Sequence, residues 1–452
     1  MTSPTTRAIG RRVALVVLCG MYAVPAAAQS PVPLTLDEAI VRSLEASPRV
    51  REARARQAAA AAAVDMRRAA GRPVATATST YLRTNHVDEF AVPQPGGGSR
   101  VIFPDIPNNL RVRGEVSVPL WTAGRTTALV DGATHEVAAA DADARVVEAE
   151  LALEVALAYW RVVTARATVD VLDEGLARTD AWVAAVRARV EAGVSSPHEI
   201  PQAVAVRARQ RVQRIEANRA AVVAGRDLAR LTAVSPDREI VPTTPVSGSA
   251  TTTATMEAAH PAALTTALSA RAERAALAAR ARAFEAAGRA ALATRLPQVF
   301  TFAGVEPARP NARFVPRTDT WHTSWDLGVT VSWSLWDGGR AKAEYVVAQA
   351  QADALRSRDE EFQARLDVEL TDRRLELESA QAAVSAADEG VAAAAEVHRV
   401  MGERFEAGVA TSTDVLDAHQ AWLEAALERT RLLAAVRIAE ARLRRALGAP
   451  VR

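Results

Sequence analysis

Two short turns hold the residues best placed to do chemistry. Val190-Glu191-Ala192-Gly193-Val194 and Phe405-Glu406-Ala407-Gly408-Val409 share a Glu-Ala-Gly-Val core. Gly193 and Gly408 supply the positive φ that ends a helix. Val194 and Ser195 follow the first glycine, Val409 and Ala410 the second. Ser196, Pro197 and Glu199 then read as N-cap, first helical residue and capping-box acid of the next helix. Thr411 and Asp414 repeat the cap and its acid. A carboxylate at that place accepts free amide protons and sits at the positive end of the helix. That duty accounts for Glu199 and Asp414. Asp417 has no such duty. It lies one turn beyond Asp414, on the same face and outside the cap.

Catalytic constellations are absent. The seven His form no His-Glu-x-x-His or other ligand spacing. His198 and His419 lie near the turns and read as solvated helix residues. No Gly-Lys-Ser/Thr phosphate loop and no Gly-x-Ser-x-Gly elbow occurs. The one cysteine, Cys19, lies in the N-terminal apolar stretch, so no thiol nucleophile or Cys-based zinc site remains. The reading is a protein that is not an enzyme, with no cofactor and no bound metal, whose energy comes from a partner. Basic residues number 55 and acidic 53, with no concentrated basic run, so nucleic acid is not an expected ligand.

The N-terminus reads as an address. Arg7, Arg11 and Arg12 precede an apolar stretch over 13–24, and Ala26, Ala27 and Ala28 offer a cleavage site. Residues 1–28 are therefore expected to be a signal peptide. No other stretch is apolar enough for a membrane helix, so membrane entry must use strands.

The elements that position the turns come in duplicate. Pro119-Leu120-Trp121-Thr122-Ala123-Gly124-Arg125 resembles Ser334-Leu335-Trp336-Asp337-Gly338-Gly339-Arg340. Trp121 and Trp336 lie 215 positions apart, as do Glu191 and Glu406. Each half reads helix, strand, loop, strand, long helix, turn, helix. The domains follow: 29–235, a 236–255 linker, and 256–450. Apolar or small residues recur with 4-3 spacing at Leu151, Val155, Ala158, Val162, Ala165, Val169, Leu172, Leu176, Thr179, Val183, Val186 and Val190. That is a heptad seam. Helices over 125–191 and 340–406 would each span about 100 Å. The apolar share of 49% contains only 4% aromatics, which suits closely packed helices.

Strands precede each rod. Val112, Gly114, Val116, Val118 and Leu120 alternate with Arg111, Arg113, Glu115 and Ser117. The run 325–335 alternates likewise, with Trp325 and Trp336 at its ends. Weaker runs cover 74–82 and 298–305, and the loops 83–110 and 306–324 are polar. These lengths suit tilted membrane strands with interfacial aromatics. Four strands cannot close a barrel in lipid, so several copies must combine.

The Leu-Trp-x-x-Gly-Arg junctions (Trp121, Gly124; Trp336, Gly339), the Glu-Ala-Gly-Val turns and the segment 405–420 make the chain resemble the TolC-like outer-membrane efflux proteins. The resemblance covers about 34–450. It implies a mainly α protein with a membrane β part. It also implies a homotrimer with a twelve-stranded β-barrel in outer-membrane lipid and a long α-helical barrel in the periplasm. The implied role is a passive exit duct. Its implied partners are a periplasmic adaptor (membrane fusion protein) and an inner-membrane pump, of tripartite efflux or type I secretion kind. Family members place acids matching Asp414 and Asp417 as stacked rings at the periplasmic mouth, the pore gate. The turns, Gly193 to Ser196 and Gly408 to Thr411, would dock the adaptor. Ala410 stands where some members carry a basic residue, and Phe405 where a hydroxylated aromatic occurs. The alternative is a periplasmic coiled-coil adaptor or scaffold, which should carry one hairpin flanked by small β-domains.

Overall fold

A computed structural model describes residues 31–235, 237–244 and 263–451. The expected signal peptide and most of the 236–255 linker lie outside the described residues.

The chain begins with β1 (Val32–Leu34), α1 (Leu36–Ala46) and α2 (Pro48–Ala69). Thr35 caps α1 through a complete capping box with Glu38, and Ser47 caps α2 ahead of Pro48. Then come β2 (Val74–Arg83), β3 (Phe90–Pro93), β4 (Ser99–Phe103) and β5 (Asn108–Trp121). The rod α3 (Arg125–Glu191) turns into α4 (Glu199–Thr232), and β6 (Ile240–Pro242) closes the first half. The second half runs α5 (Ala263–Ala270), α6 (Ala272–Ala293), β7 (Gln298–Arg309), β8 (His322–Ser332), α7 (Arg340–Glu406) and α8 (Ser412–Leu447).

Both rods have 67 residues and the bounds that the repeat predicts. Most of the heptad seam of α3 is buried, while Ala165, Val169, Leu176 and Val190 are half-buried. Leu151, Val155, Ala158, Val162, Leu172, Thr179, Val183 and Val186 are all buried. The rod α3 packs against α2, α4, α6 and α8. The rod α7 packs against the same α6 and α8. The main core surrounds the middle of α3, where Leu151, Val155, Tyr159 and Trp160 meet Leu34, Leu228 and Ile240. Tyr159 makes this polar-safe: its hydroxyl donates to Leu34 O at 3.0 Å and accepts from Thr244 N at 3.0 Å. Strands β1 and β6 pair in parallel beside it and pin the two ends of the first half together.

The long strands form one antiparallel sheet, ordered β2-β5-β7-β8. Its two edges, β2 and β8, have no further strand paired to them among the described residues. Pro119 cannot donate to the ladder, and the β5–β7 register shifts between Pro119 and Trp121. The apolar face is the exposed one: on β8, Trp325 is 72% exposed, Leu327 71% and Val331 64%. The opposite face carries charge that is paired. Arg113 donates to Asp326 at 2.9 Å and to Glu115 at 2.8 Å. This inversion, apolar outside and ionic inside, is what lipid requires of a barrel wall. Among the described residues no helix is long and apolar enough to cross a membrane.

The strands extend into the expected loops, with β5 starting at Asn108, β7 running to Arg309 and β8 starting at His322. Other details also differ from the sequence reading. The loop after β2 is not featureless: β3 and β4 pair as a hairpin within it. The last strand ends at Ser332 rather than running on to Leu335. Its ladder partner begins at Gln298, opposite Ser332, so pairing stops there. Trp333 instead donates its indole N–H to Arg295 O at 3.1 Å.

Candidate functional site

The two turns sit at the far end of the rods from the sheet, and each is a complete Schellman motif. At the first, Gly193 N donates to Val190 O at 3.0 Å and Val194 N to Arg189 O at 2.9 Å. At the second, Gly408 N donates to Phe405 O at 3.0 Å and Val409 N to Arg404 O at 2.9 Å. Gly193 has φ +72° and Gly408 φ +74°. Nothing lies near where a Cβ would stand, so it is the backbone angle, not space, that demands glycine.

The entries to the following helices differ. Thr411 caps α8: Asp414 N donates to Thr411 Oγ1 at 3.2 Å, and Thr411 N donates to Asp414 Oδ2 at 2.8 Å. The Thr411 hydroxyl donates to the same carboxylate at 2.7 Å. These bonds, with Arg404 nearby, hold the Asp414 carboxyl below its ordinary range. The first turn corrects the sequence reading. Ser196 is not the N-cap, and Pro197 is not helical; α4 starts at Glu199 with His198 before it. The reason is local. The Ser196 hydroxyl is engaged with His198 Nδ1 at 2.7 Å, and Ser196 O accepts Glu199 N at 3.1 Å, making a turn. Only half of the box survives, with Ser196 N donating to Glu199 Oε1 at 3.3 Å. The other carboxylate oxygen, Oε2, is buried without a partner.

Asp414 and Asp417 are both exposed, on the face of α8 away from buried Val415 and Leu416. Leu416 packs with Val183 of α3 and Ala203 of α4. Gln202 Nε2 donates to Thr413 Oγ1 at 3.0 Å, so the hairpin tips touch directly. Phe405 is buried, its ring 4.5 Å from that of Trp182, with the Arg189 guanidinium 4.5 Å over it. Where a hydroxylated aromatic would offer a polar link, Phe405 makes an apolar and cation–π clasp.

The expected junction residues open the rods. Gly124 (φ +80°) and Gly339 (φ +87°) are the N-caps of α3 and α7. Asp337 accepts from Gly339 N and Ala341 N, both at 2.9 Å. The side chain of Thr122, its counterpart, accepts one such bond, from Thr126 N at 3.4 Å. Trp121 is about half exposed and Trp336 is 87% exposed.

His198 is exposed, as read. His419 is not: it is 4% exposed and bonded through Nε2 to Thr179 at 3.0 Å. Sequence reasoning missed this cluster. The signal was present, because Leu416, His419 and Leu423 follow 3-4 spacing on the apolar face of α8. Among the described residues no group of three or more His, Cys, Asp and Glu could hold a metal ion.

The chain matches the family described as outer membrane efflux protein over residues 39–234 and again over 263–449. It belongs to that family. The efflux protein has two matched segments, one on each structural repeat, in keeping with an internal duplication. Solved structures share its fold. The outer membrane protein VceC of Vibrio cholerae superposes with a TM-score of 0.73 at 20% identity, covering 92% of this chain and 97% of that one. A membrane protein of Pseudomonas aeruginosa gives 0.74 at 20%, covering 91% and 93%. The MtrE outer membrane channel of Neisseria gonorrhoeae gives 0.69 at 19%, covering 92% and 89%. No curated protein sequence matches the chain. The efflux protein is thus an outer-membrane duct whose helical part extends into the periplasm. The alternative of a periplasmic adaptor receives no support: two hairpins lead from a single membrane-type sheet.

Proposed function

We propose that three copies assemble into a closed duct, dock a periplasmic adaptor and inner-membrane pump at the turns, and gate at Asp414 and Asp417. The observation that carries the assembly is the pair of open edges. Strand β2 and strand β8 each present unpaired backbone groups beside an apolar outer face. In hydrocarbon each such group costs several kcal/mol. Pairing β8 of one copy with β2 of the next removes both edges by rotation, a heterologous contact that closes into a ring. Three copies of a four-stranded sheet make twelve strands. The rods suit the same closure, since among the described residues α7 packs mainly against α6 and α8, leaving the rest of its surface for another copy.

The adaptor reading rests on position. The turns are the parts farthest from the sheet, and Val194 and Val409, both 65% exposed, stand at their tips. The gate reading rests on the exposure of both acids on one face of α8. In a trimer they would form six carboxylates around the axis, favouring cations. No catalytic role is assigned to any residue.

Assembly is tested by light scattering of the mature protein in detergent. The mass of a trimer is expected; a stable monomer that keeps its β signal in circular dichroism would overturn the closed duct.

A further inference from the structure

The two hairpins of the chain, α3–α4 and α7–α8, meet through a buried polar cluster well above their tips. Thr179 Oγ1 lies 2.7 Å from Gln210 Oε1, 3.1 Å from Gly175 O and 3.0 Å from His419 Nε2. A hydroxyl has one proton, and Thr179 must give it to one of the two carbonyl oxygens. Its own oxygen is then free to accept from His419 Nε2, the tautomer in which Nδ1 carries no proton. The other ring nitrogen, Nδ1, is buried and has no hydrogen-bond partner. A second proton on His419 would land there, with no acceptor in reach among the described residues.

The charged surroundings do not compensate. From α7, His398 faces His419 with ring centroids 5.3 Å apart. From α3, Arg178 lies 4.1 Å over the Trp422 ring and pairs with Glu174 at 2.7 Å. From α4 come neutral Gln210 and Arg207, the latter paired with Asp180 at 3.4 Å. On its own helix, Asp417 is exposed to solvent, and Asp414 is taken up by its cap. Glu406 lines the same cleft, of about 380 Å³, but stands two helical turns from His398, about 12 Å along α7. Burial first, then the charges of His398 and Arg178, push the His419 imidazole down to about 4 from an ordinary 6.5. Burial and Arg178 lower His398 as well.

We propose that the Thr179–His419–Gln210 cluster is a latch that holds the α7–α8 hairpin against α3–α4, and that acid releases it. The proposal rests on reading the hairpin tips as the mouth of the duct. With the hairpins parted, His419 meets water and titrates near its ordinary value. The parted state therefore binds more protons between the two pKa values. The latch is at full strength above about pH 6.5 and weakens as the pH falls toward 4, by on the order of a hundredfold in the closed-to-open ratio. Once His398 is also charged, three cations crowd one interface, which adds to the release.

The test uses the full-length protein reconstituted in lipid, with two readouts at pH 7 and pH 4.5. One is hydrogen-exchange protection of the amides at 175–186 and 412–423, corrected for intrinsic rates. The other is single-channel conductance in planar bilayers. In the wild type, protection is expected to fall about tenfold or more at pH 4.5 and open probability to rise. His419→Gln keeps an amide donor toward Thr179 but cannot titrate, so both changes should vanish. Thr179→Val should loosen the segment already at pH 7. Wild-type protection that is flat with pH overturns the latch. So does an acid response that His419→Gln retains in full, which would point to carboxylates. A His419-dependent loss of protection with unchanged conductance supports the latch and counts against the tips as the constriction.

Discussion

The two turns are the same device built twice, and they differ at one step. Both end their rods with a Schellman motif at a glycine of nearly equal φ. The second then enters α8 directly, because the Thr411 hydroxyl and the Asp414 carboxylate exchange bonds in a closed box. The first spends its serine hydroxyl on His198 and enters α4 two residues late. Position in a repeat therefore fixes where a turn falls. The hydrogen-bond competition among its polar side chains fixes how rigidly the next helix starts.

The largest expected effect is common to both turns. Gly408→Val places a β-branched residue at φ +74°, and Gly193→Val at φ +72°. Each should cost about 1–3 kcal/mol locally, since a Cβ there strains the backbone whatever the space around it. Export should fall in both variants at normal protein level, whereas Thr411→Ser, which keeps the cap, should be near neutral. Normal pump-dependent export by Gly408→Val would detach the turns from docking. Unequal loss in the two glycine variants would show which hairpin the adaptor grips.

A smaller electrical effect should separate the acids. Asp414 and Glu199 are counterparts by the repeat, but no acid of α4 matches the place of Asp417: Gln202 stands there and donates to Thr413. Asp414→Asn with Asp417→Asn should reduce cation selectivity in planar bilayers. Like charges gathered in one ring repel and draw in cations, an effect that salt screens. Asp417→Asn alone should give most of that change without loosening the helix start. Unchanged selectivity in an intact trimer would reduce both residues to helix-start acids.

Much of this architecture was legible because it follows from periodicity. The 215-position offset and the heptad seam place α3 and α7 to the residue, and two-residue alternation finds the strands. Side-chain competition was not legible. Nothing in the order Ser196, Pro197, His198, Glu199 says whether the serine hydroxyl goes to an amide or to an imidazole. Thr179 was readable as a seam residue, but its partner His419 lies 240 positions away. Only the packing of α8 on α3 brings them together. A polar residue on an apolar stripe marks such a meeting without naming the other half.

The smallest effect sharpens the comparison most directly. Thr411→Ala removes a cap that accepts the Asp414 amide and holds its carboxylate, and should cost about 1 kcal/mol. Ser196→Ala removes a hydroxyl that caps no amide, and should cost a few tenths or less. Acid should reveal the same asymmetry. The Asp414 carboxyl is held below its ordinary range by Thr411, so its share of stability is present above the ordinary carboxylate pKa and fades only as the pH falls below it. Thr411→Ala should remove most of that share. The check is hydrogen-exchange protection of the first turn of α8 and of α4 in each variant, at neutral pH and near pH 3. Equal losses at the two turns would mean that Ser196 does cap α4 in solution, and that the two helices start in the same way.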